Sequence, residues 1–319
     1  MTIAPSQKMP AFADATTFRA WRSDPQQWLG IALDIARSHR LDVRSPQVLS
    51  TGTNLVVGFG EKLILKIFPP LLHAQFVSER GSLTQLKGRL HLPIPEIVAE
   101  GMRDGWPYLI ISRLAGTLGS EVWPSLPEAQ KERVLRQIGE TIAAVQRAPL
   151  GPLAQIEPRW DTFLRGQIEG CRARHTRLGL APKFLKGLDD LLRDAAELIP
   201  MDAPPVILIG EYIPENFLLA CHDGDCSLAG LFDFGDVKAG WRDYDLLGPS
   251  AFMAAGRPGR VRSLLGGFGY AKLDYALKRR LMALMLLHQA SDLNSHICIE
   301  GWQDKADDLL GLQDLIWAE

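Results

Sequence analysis

The first third of the chain consists of short apolar runs divided by turn residues. Runs at 47–51, 54–59 and 62–68 have strand length, and Gly60-Glu61 predicts a hairpin turn between the last two. Pro69-Pro70 closes this segment, because neither proline has an N–H to donate to a ladder. Two further strands are predicted over 96–100 and 108–113, on either side of a turn at Asp104-Gly105. Helical spacing appears twice among these runs. Asp24-Pro25 followed by Trp28, Ile31, Ala32, Ile35 and Ala36 predicts an N-capped helix with proline in its first turn. Leu72, Phe76, Leu83, Leu86 and Leu90 predict a second helix.

After Ala115-Gly116 the period changes. Residues 125–147 carry Val134, Ile138, Ile142 and Val145 on one helical face, and 160–174 and 182–199 read the same way. Residues 206–248 return to short strands around turns, one of them at His222-Asp-Gly-Asp225. The tail is helical again, most clearly over 273–293 and 301–317. The pattern alone supports a mixed α+β chain, strand-rich in front and helix-rich behind.

Charge is nearly balanced over the 319 residues, at a formal net −2, so no domain-wide basic field for nucleic acid is implied. The longest apolar run, 281–287, is far shorter than the ~20 residues a membrane span needs. Residues 1–17 hold one lysine and no apolar core, which predicts no secretory leader. The four cysteines (Cys171, Cys221, Cys226 and Cys298) lack C-x-x-C spacing, so the expectation is buried reduced thiols, with neither a zinc site nor a disulfide framework. These features predict a soluble cytoplasmic protein without nucleic-acid or membrane partners.

Candidate chemistry concentrates in two short stretches. Glu211-Tyr-Ile-Pro-Glu-Asn216 places a carboxylate five residues before an asparagine, and Asp233-Phe234-Gly235 follows an apolar run. Phosphoryl transfer needs an acidic residue to orient the acceptor hydroxyl, and oxygen ligands to hold the metal that neutralises the phosphates. Upstream, Lys66 lies inside the apolar run 63–68, with Ile64 and Phe68 on its strand face. An ammonium there is costly unless it finds an anion or snorkels to water. Glu79 shares the helical stripe of Phe76, Leu83 and Leu86, where a carboxylate asks for a cation, unless it lies at the margin of the stripe. A Lys66–Glu79 ion pair would satisfy both.

From 206 to 248 the chain resembles the aminoglycoside phosphotransferase and choline-kinase branch of the protein-kinase-like superfamily. The stretches that carry the resemblance are Ile209-Gly210-Glu211-Tyr212-Ile213-Pro214-Glu215-Asn216, Phe232-Asp233-Phe234-Gly235-Asp236 and Tyr244-Asp245-Leu246. Gly210, Pro214, Asn216, Asp233, Asp236 and Asp245 match the family pattern, whereas positions 209, 211 and 213 lack its His, Asp and His. The resemblance implies a two-lobed kinase-like α+β fold, with a small β-rich nucleotide-binding lobe at 1–114 and a larger helical lobe at 115–319. It implies an ATP·Mg²⁺-dependent phosphotransferase (or one using another nucleoside triphosphate) acting on a hydroxyl of a small molecule. Lys66, held by Glu79, would clamp phosphates; Asn216 and Asp233 would hold Mg²⁺; Glu211 would orient the hydroxyl; Asp245 would brace the catalytic loop.

Gly52 and Thr53, with Thr51, would border the phosphates, although the glycine-rich loop of kinases is missing. Ser112 and Leu114 would fall at the hinge that meets the adenine, with Leu218 and Phe232 lining the pocket on its other side. Asp292, Trp302, Asp304, Asp307 and Asp308 would either form an acidic acceptor pocket or a solvated helix face, the second being favoured. The departures at 209, 211 and 213 leave open a catalytically silent nucleotide-binding module, and no residue excludes nucleotidyl transfer.

Overall fold

The protein is described from a computed structural model covering residues 8–50, 52–200 and 202–319; Thr51, one of the residues expected near the phosphates, lies outside them. The chain forms two compact units. The first reaches Lys87 and takes in Ile94–Leu114 and Asp233–Gly235; the second takes Gly88–Pro93, Ala115–Phe232 and Asp236–Glu319.

The first unit is a five-stranded antiparallel sheet with helices α1 (Ala15–Arg22), α2 (Leu29–Ser38) and α3 (His73–Leu86). Its strands are β1 (Pro46–Leu49), β2 (Leu55–Phe59), β3 (Leu63–Ile67), β4 (Ile97–Arg103) and β5 (Trp106–Ser112), in the order β1-β2-β3-β5-β4. Alternation sorts the faces. Leu55 and Val57 of β2, Leu65 and Ile67 of β3, and Trp106 and Ile110 of β5 join Ile31, Ala32, Ile35 and Ala36 of α2 in one core. Lys66 is thereby directed to the other face. The β4–β5 turn has positive φ at both Asp104 (50°) and Gly105 (85°), the twist-matched conformation that an Asp-Gly pair supplies.

Helix α1 is a gain over the sequence reading. Its eight residues are too few for a clear period, but Asp14 caps it by accepting from the N–H groups of Thr16 and Thr17, both at 2.8 Å. Asp24 caps only the single turn Pro25–Gln27, so the α2 helix begins later than expected, at Leu29.

The second unit is mainly helical, built on Glu128–Arg147, Trp160–Arg177, Leu188–Leu198, Pro258–Phe268, Tyr275–Leu287 and Leu309–Ile316. Two segments read as continuous helices are each broken: Pro182–Leu185 stops before Leu188, and Trp302–Lys305 stops before Leu309. Strand β6 (Thr117–Leu118) pairs with β8 (Phe217–His222), which pairs with β9 (Asp225–Leu231); β7 (Val206–Leu208) pairs with β10 (Lys238–Gly240). Among the described residues no helix is long and apolar enough to cross a membrane.

The structure corrects the expectation for the cysteines. Cys221 and Cys226 are disulfide-bonded, and Cys298 is free but exposed; only Cys171 is the buried thiol anticipated. The reason is register: the β8–β9 turn sets Cys221 directly opposite Cys226, with Cα atoms 4.1 Å apart.

Candidate active site

The first unit gathers one cation and two carboxylates. Register places Lys66 of β3 between Val56 of β2 and Leu109 of β5. Its Nζ donates to Glu79 Oε2 of α3 at 2.5 Å and to Asp233 Oδ1 at 2.9 Å. Lys66 is 7% and Glu79 2% exposed, so the ion pair expected from the two apolar patterns is present and buried. The buried face of α3 is Ser78, Glu79, Ser82, Leu83 and Leu86, too polar for a strong amphipathic signature. Burial alone would lower the Lys66 pKa, but the Glu79 and Asp233 carboxylates outweigh it and hold the ammonium above its usual range. Lys66 in turn lowers the Asp233 pKa against the opposing effect of burial.

Asp233 adopts φ 66°, a left-handed conformation that costs a non-glycine residue about 1–2 kcal/mol. Local bonds hold it there. The Gly235 N–H donates to its carboxylate, and Ser78 Oγ donates to the Phe234 carbonyl at 3.1 Å. One carboxylate oxygen is thus committed to Lys66, on a side chain that keeps 36% exposure.

The segment proposed to border phosphates is held from an unforeseen direction. Arg22, the last residue of α1, donates to the carbonyls of Ser50 (3.1 Å), Gly52 (2.6 Å) and Asn54 (3.5 Å). In a trans peptide C=O and N–H point oppositely, so the Thr53 N–H is turned away from Arg22. Thr53 Oγ1 and Asn54 Nδ2 both donate to Gln75 Oε1 of α3. Gly52 has φ 85°, so a side chain there would be strained. Further along, Ser112 is tied to Glu96: its N–H donates to the Glu96 carbonyl, and its Oγ accepts the Glu96 N–H, both at 2.8 Å. The first of these bonds takes up the Ser112 N–H. The Leu114 amide has no bonded partner among the described residues.

The second unit carries the loop from Ile209 to Asn216. Gly210 has φ 82°, and the buried Asp245 accepts the N–H groups of Ile209 (3.2 Å) and Gly210 (2.8 Å). Burial pushes the Asp245 carboxyl up to about 7, against the pull of these amides and of Gln146. Asn216 is 6% exposed; its Nδ2 donates to the Glu211 carbonyl at 3.0 Å, and its own carbonyl accepts the Phe232 N–H at 3.1 Å. The amide nitrogen is spent inside the loop, and Oδ1 remains as the oxygen ligand Asn216 can offer.

Two supports lie outside the motif and were missed. His288 Nε2 donates to the Gly210 carbonyl (3.2 Å) while Nδ1 accepts the Ala290 N–H (3.2 Å), an arrangement that fits the neutral ring, and burial lowers its pKa to about 4. Lys238 has its pKa lowered by burial although Asp236 and Glu211 pull it upward, which places its ammonium in the field of Glu211. Half-buried Glu211 also borders a cavity of about 170 Å³. Leu218 is buried on β8 and Phe232 half-buried beyond β9. Of the acidic residues weighed for an acceptor pocket, only Asp292 lines that cavity; Asp308 caps Leu309–Ile316, and Trp302 is buried.

A family model described as the phosphotransferase enzyme family (APH) matches residues 33–283. The chain belongs to that family. It is accordingly a phosphotransferase of the small-molecule kinase type. Among solved structures it is similar to the GDP complex of aminoglycoside 2'-phosphotransferase-IIIa, at 19% identity and TM-score 0.66, over 81% of this chain and 88% of that one. It is also similar to ADP-bound aminoglycoside phosphotransferase APH(2'')-Ib, at 14% identity and TM-score 0.55, covering 89% and 95%. Macrolide 2'-phosphotransferase MphH from Brachybacterium faecium matches at 17% identity and TM-score 0.54, covering 80% and 89%. At these identities the likeness establishes the kinase-like fold. Arg22 precedes the matched residues, so the donor that clasps the 50–54 loop lies outside what the family model spans, whereas the loop itself lies within it.

Proposed function

We propose that this phosphotransferase moves the γ-phosphoryl group of ATP, with Mg²⁺, onto a hydroxyl of a small molecule in the cytoplasm. The observation that carries the reading is Lys66 held between Glu79 and Asp233, an ammonium fixed in one position with carboxylates on two sides. The donors available suit a hard cation: an Asp233 carboxylate oxygen and Asn216 Oδ1 are oxygen ligands, and Mg²⁺ takes one or two of these besides phosphates and water. Bound there, the metal would supply charge neutralisation on the phosphate oxygens.

In this reading Lys66 binds the phosphates and Glu79 fixes its direction. Arg22 keeps the carbonyls of the 50–54 loop turned aside, so that backbone N–H groups such as that of Thr53 face the phosphates. Glu211 orients the acceptor hydroxyl and takes its proton as the new P–O bond forms and the bond to ADP breaks. Asp245 and His288 hold the loop that presents Glu211. Leu114, Leu218 and Phe232 would meet the base, and Ser112, whose N–H is held by the Glu96 carbonyl, could contribute only its carbonyl. Similar proteins bind GDP and ADP, which supports a nucleotide site.

The test combines binding and turnover. Ligand that binds only the folded state stabilises it by about 2.7 kcal/mol at a hundredfold excess over Kd, so ATP·Mg²⁺ should raise the melting temperature. Glu211→Ala should keep that shift and lose ADP formation with every acceptor the parent uses. No shift at millimolar ATP·Mg²⁺ would refute the nucleotide site. Equal ADP formation by parent and Glu211→Ala would remove Glu211 from the mechanism.

A further inference from the structure

Helix α3 turns one polar stripe toward the charged centre of the first unit. Gln75, Ser78, Glu79 and Ser82 are spaced by three and four residues, so they lie on one side of the helix. Glu79 holds Lys66 at 2.5 Å, and Ser78 Oγ donates to the Phe234 carbonyl at 3.1 Å. Gln75 lies one turn before Glu79, about 5.4 Å along the axis.

Gln75 meets two segments at once. Its Oε1 accepts Thr53 Oγ1 at 3.1 Å and Asn54 Nδ2 at 3.0 Å, both from the 50–54 loop. Its stem packs against the turn after Asp233. A Cβ built on Gly235 would stand 3.5 Å from Gln75 Cβ, 3.7 Å from Gln75 Cδ and 3.6 Å from Asp233 Oδ1. The Gln75 amide is thus lodged between the loop and the carboxylate that pairs with Lys66.

Only one end of that amide is in use. The two bonds at Oε1 take up both lone pairs of the oxygen, and the planar group then turns Nε2 away from Thr53 and Asn54. Its two N–H groups have no hydrogen-bond partner among the described residues. Gln75 is half-buried, and Nε2 is not among the described side-chain atoms enclosed without a partner, so a ligand can reach it.

Resting on the reading that Lys66 and the 50–54 loop border nucleotide phosphates, we propose that Gln75 is a further phosphate-binding residue. Its Nε2 donates to an oxygen of the triphosphate while Oε1 holds the loop in place. The loop has a single glycine, Gly52, before Gly58, and a side-chain donor makes up for backbone N–H groups that a glycine-rich loop would supply. Glutamine can do both tasks because its amide carries an acceptor and two donors on one planar group.

The test compares the full-length parent with Gln75→Glu and Gln75→Met. Glutamate keeps an oxygen for Thr53 and Asn54 but has no donor and turns a charge toward the phosphates; methionine lacks both functions. Isothermal titration uses ATP·Mg²⁺, tripolyphosphate and adenosine, and hydrogen exchange of the 52–55 amides reads loop order without ligand. Gln75→Glu should keep the parental exchange and weaken ATP·Mg²⁺ and tripolyphosphate about ten- to hundredfold, the value of a hydrogen bond to a charged group. Gln75→Met should speed loop exchange and weaken the same two ligands about as much. Adenosine should bind all three proteins alike, which also shows that they are folded. If Gln75→Glu binds ATP·Mg²⁺ as tightly as the parent, or if adenosine weakens as much as ATP, Gln75 is only a support and the proposal is overturned, while the nucleotide reading stands. Gln75-dependent binding of tripolyphosphate, with neither ATP·Mg²⁺ nor adenosine bound, would leave the donor standing and count against the nucleotide reading. A parent that binds none of the three would overturn both.

Discussion

Lys66→Met should be partly rescued by Glu79→Gln, although each change alone is destabilising. Exposure separates the three charged groups: the Lys66 and Glu79 side chains keep 9% and 2%, whereas Asp233 keeps 36%. Removing the lysine takes from buried Glu79 the cation 2.5 Å away. Breaking a buried pair in this way costs about 3–5 kcal/mol, because the remaining charge is left in a low-dielectric surrounding. Glu79→Gln is milder, at roughly 1–3 kcal/mol, since Lys66 retains Asp233 at 2.9 Å and the pair's gain was already offset by desolvation.

In the double variant neither substituted side chain buries a charge, and Asp233 can be hydrated through its exposed edge. The cost should therefore be about 2–4 kcal/mol, below that of Lys66→Met alone. Hydrogen exchange of the β3 and α3 amides, measured for all four proteins, reports the opening free energy of the first unit without requiring the whole chain to unfold at once. Independent sites add to within about 0.5 kcal/mol. A double variant whose loss equals the two single losses within that margin would show that the charges are not coupled, and the account of the triad would fall.

Two other outcomes follow from contacts outside the motif. Arg22→Ala should weaken ATP binding about tenfold while leaving adenosine binding unchanged, as isothermal titration would measure; equal losses for both ligands would mean that Arg22 supports the unit in general and not the phosphate loop. The His288 pKa is depressed to about 4 from an unfolded value near 6.5, so its contribution is present above about pH 6.5 and is lost as pH falls toward 4, up to ~3 kcal/mol. Asp245, raised to about 7, acts in the opposite sense: its contribution is greatest below about pH 4 and is lost as pH rises toward 7. The His288 part therefore has to be read as a difference: His288→Gln, whose amide can still donate to Gly210, should shrink the stability lost between about pH 7 and pH 5 in urea titrations, and an unchanged loss would contradict the assignment.

The sequence by itself determined which buried charges would need partners. Lys66 within an apolar strand and Glu79 within a helical stripe each implied an opposite charge, because an unpaired ion is costly in apolar surroundings, and the two satisfy each other in the structure. Asn216, Asp233 and Asp245 were singled out by the resemblance to the kinase-like pattern, and Asp245 does hold the Ile209 and Gly210 amides. The alternating strands and their Asp-Gly turns were likewise readable, since side-chain direction repeats every two residues whatever the fold.

Contacts between distant segments depended on the tertiary structure. Arg22 reaches carbonyls some thirty residues away, and backbone carbonyls leave no trace in side-chain pattern. The Glu96 bonds that take up the Ser112 N–H and hydroxyl arise where β4 runs beside β5, and the Cys221–Cys226 bridge from the register of one hairpin. The neutral state of His288 is set by burial and by which neighbours fill the remaining volume. Periodicity fixes which face of an element is apolar, but only packing decides which atoms that face meets.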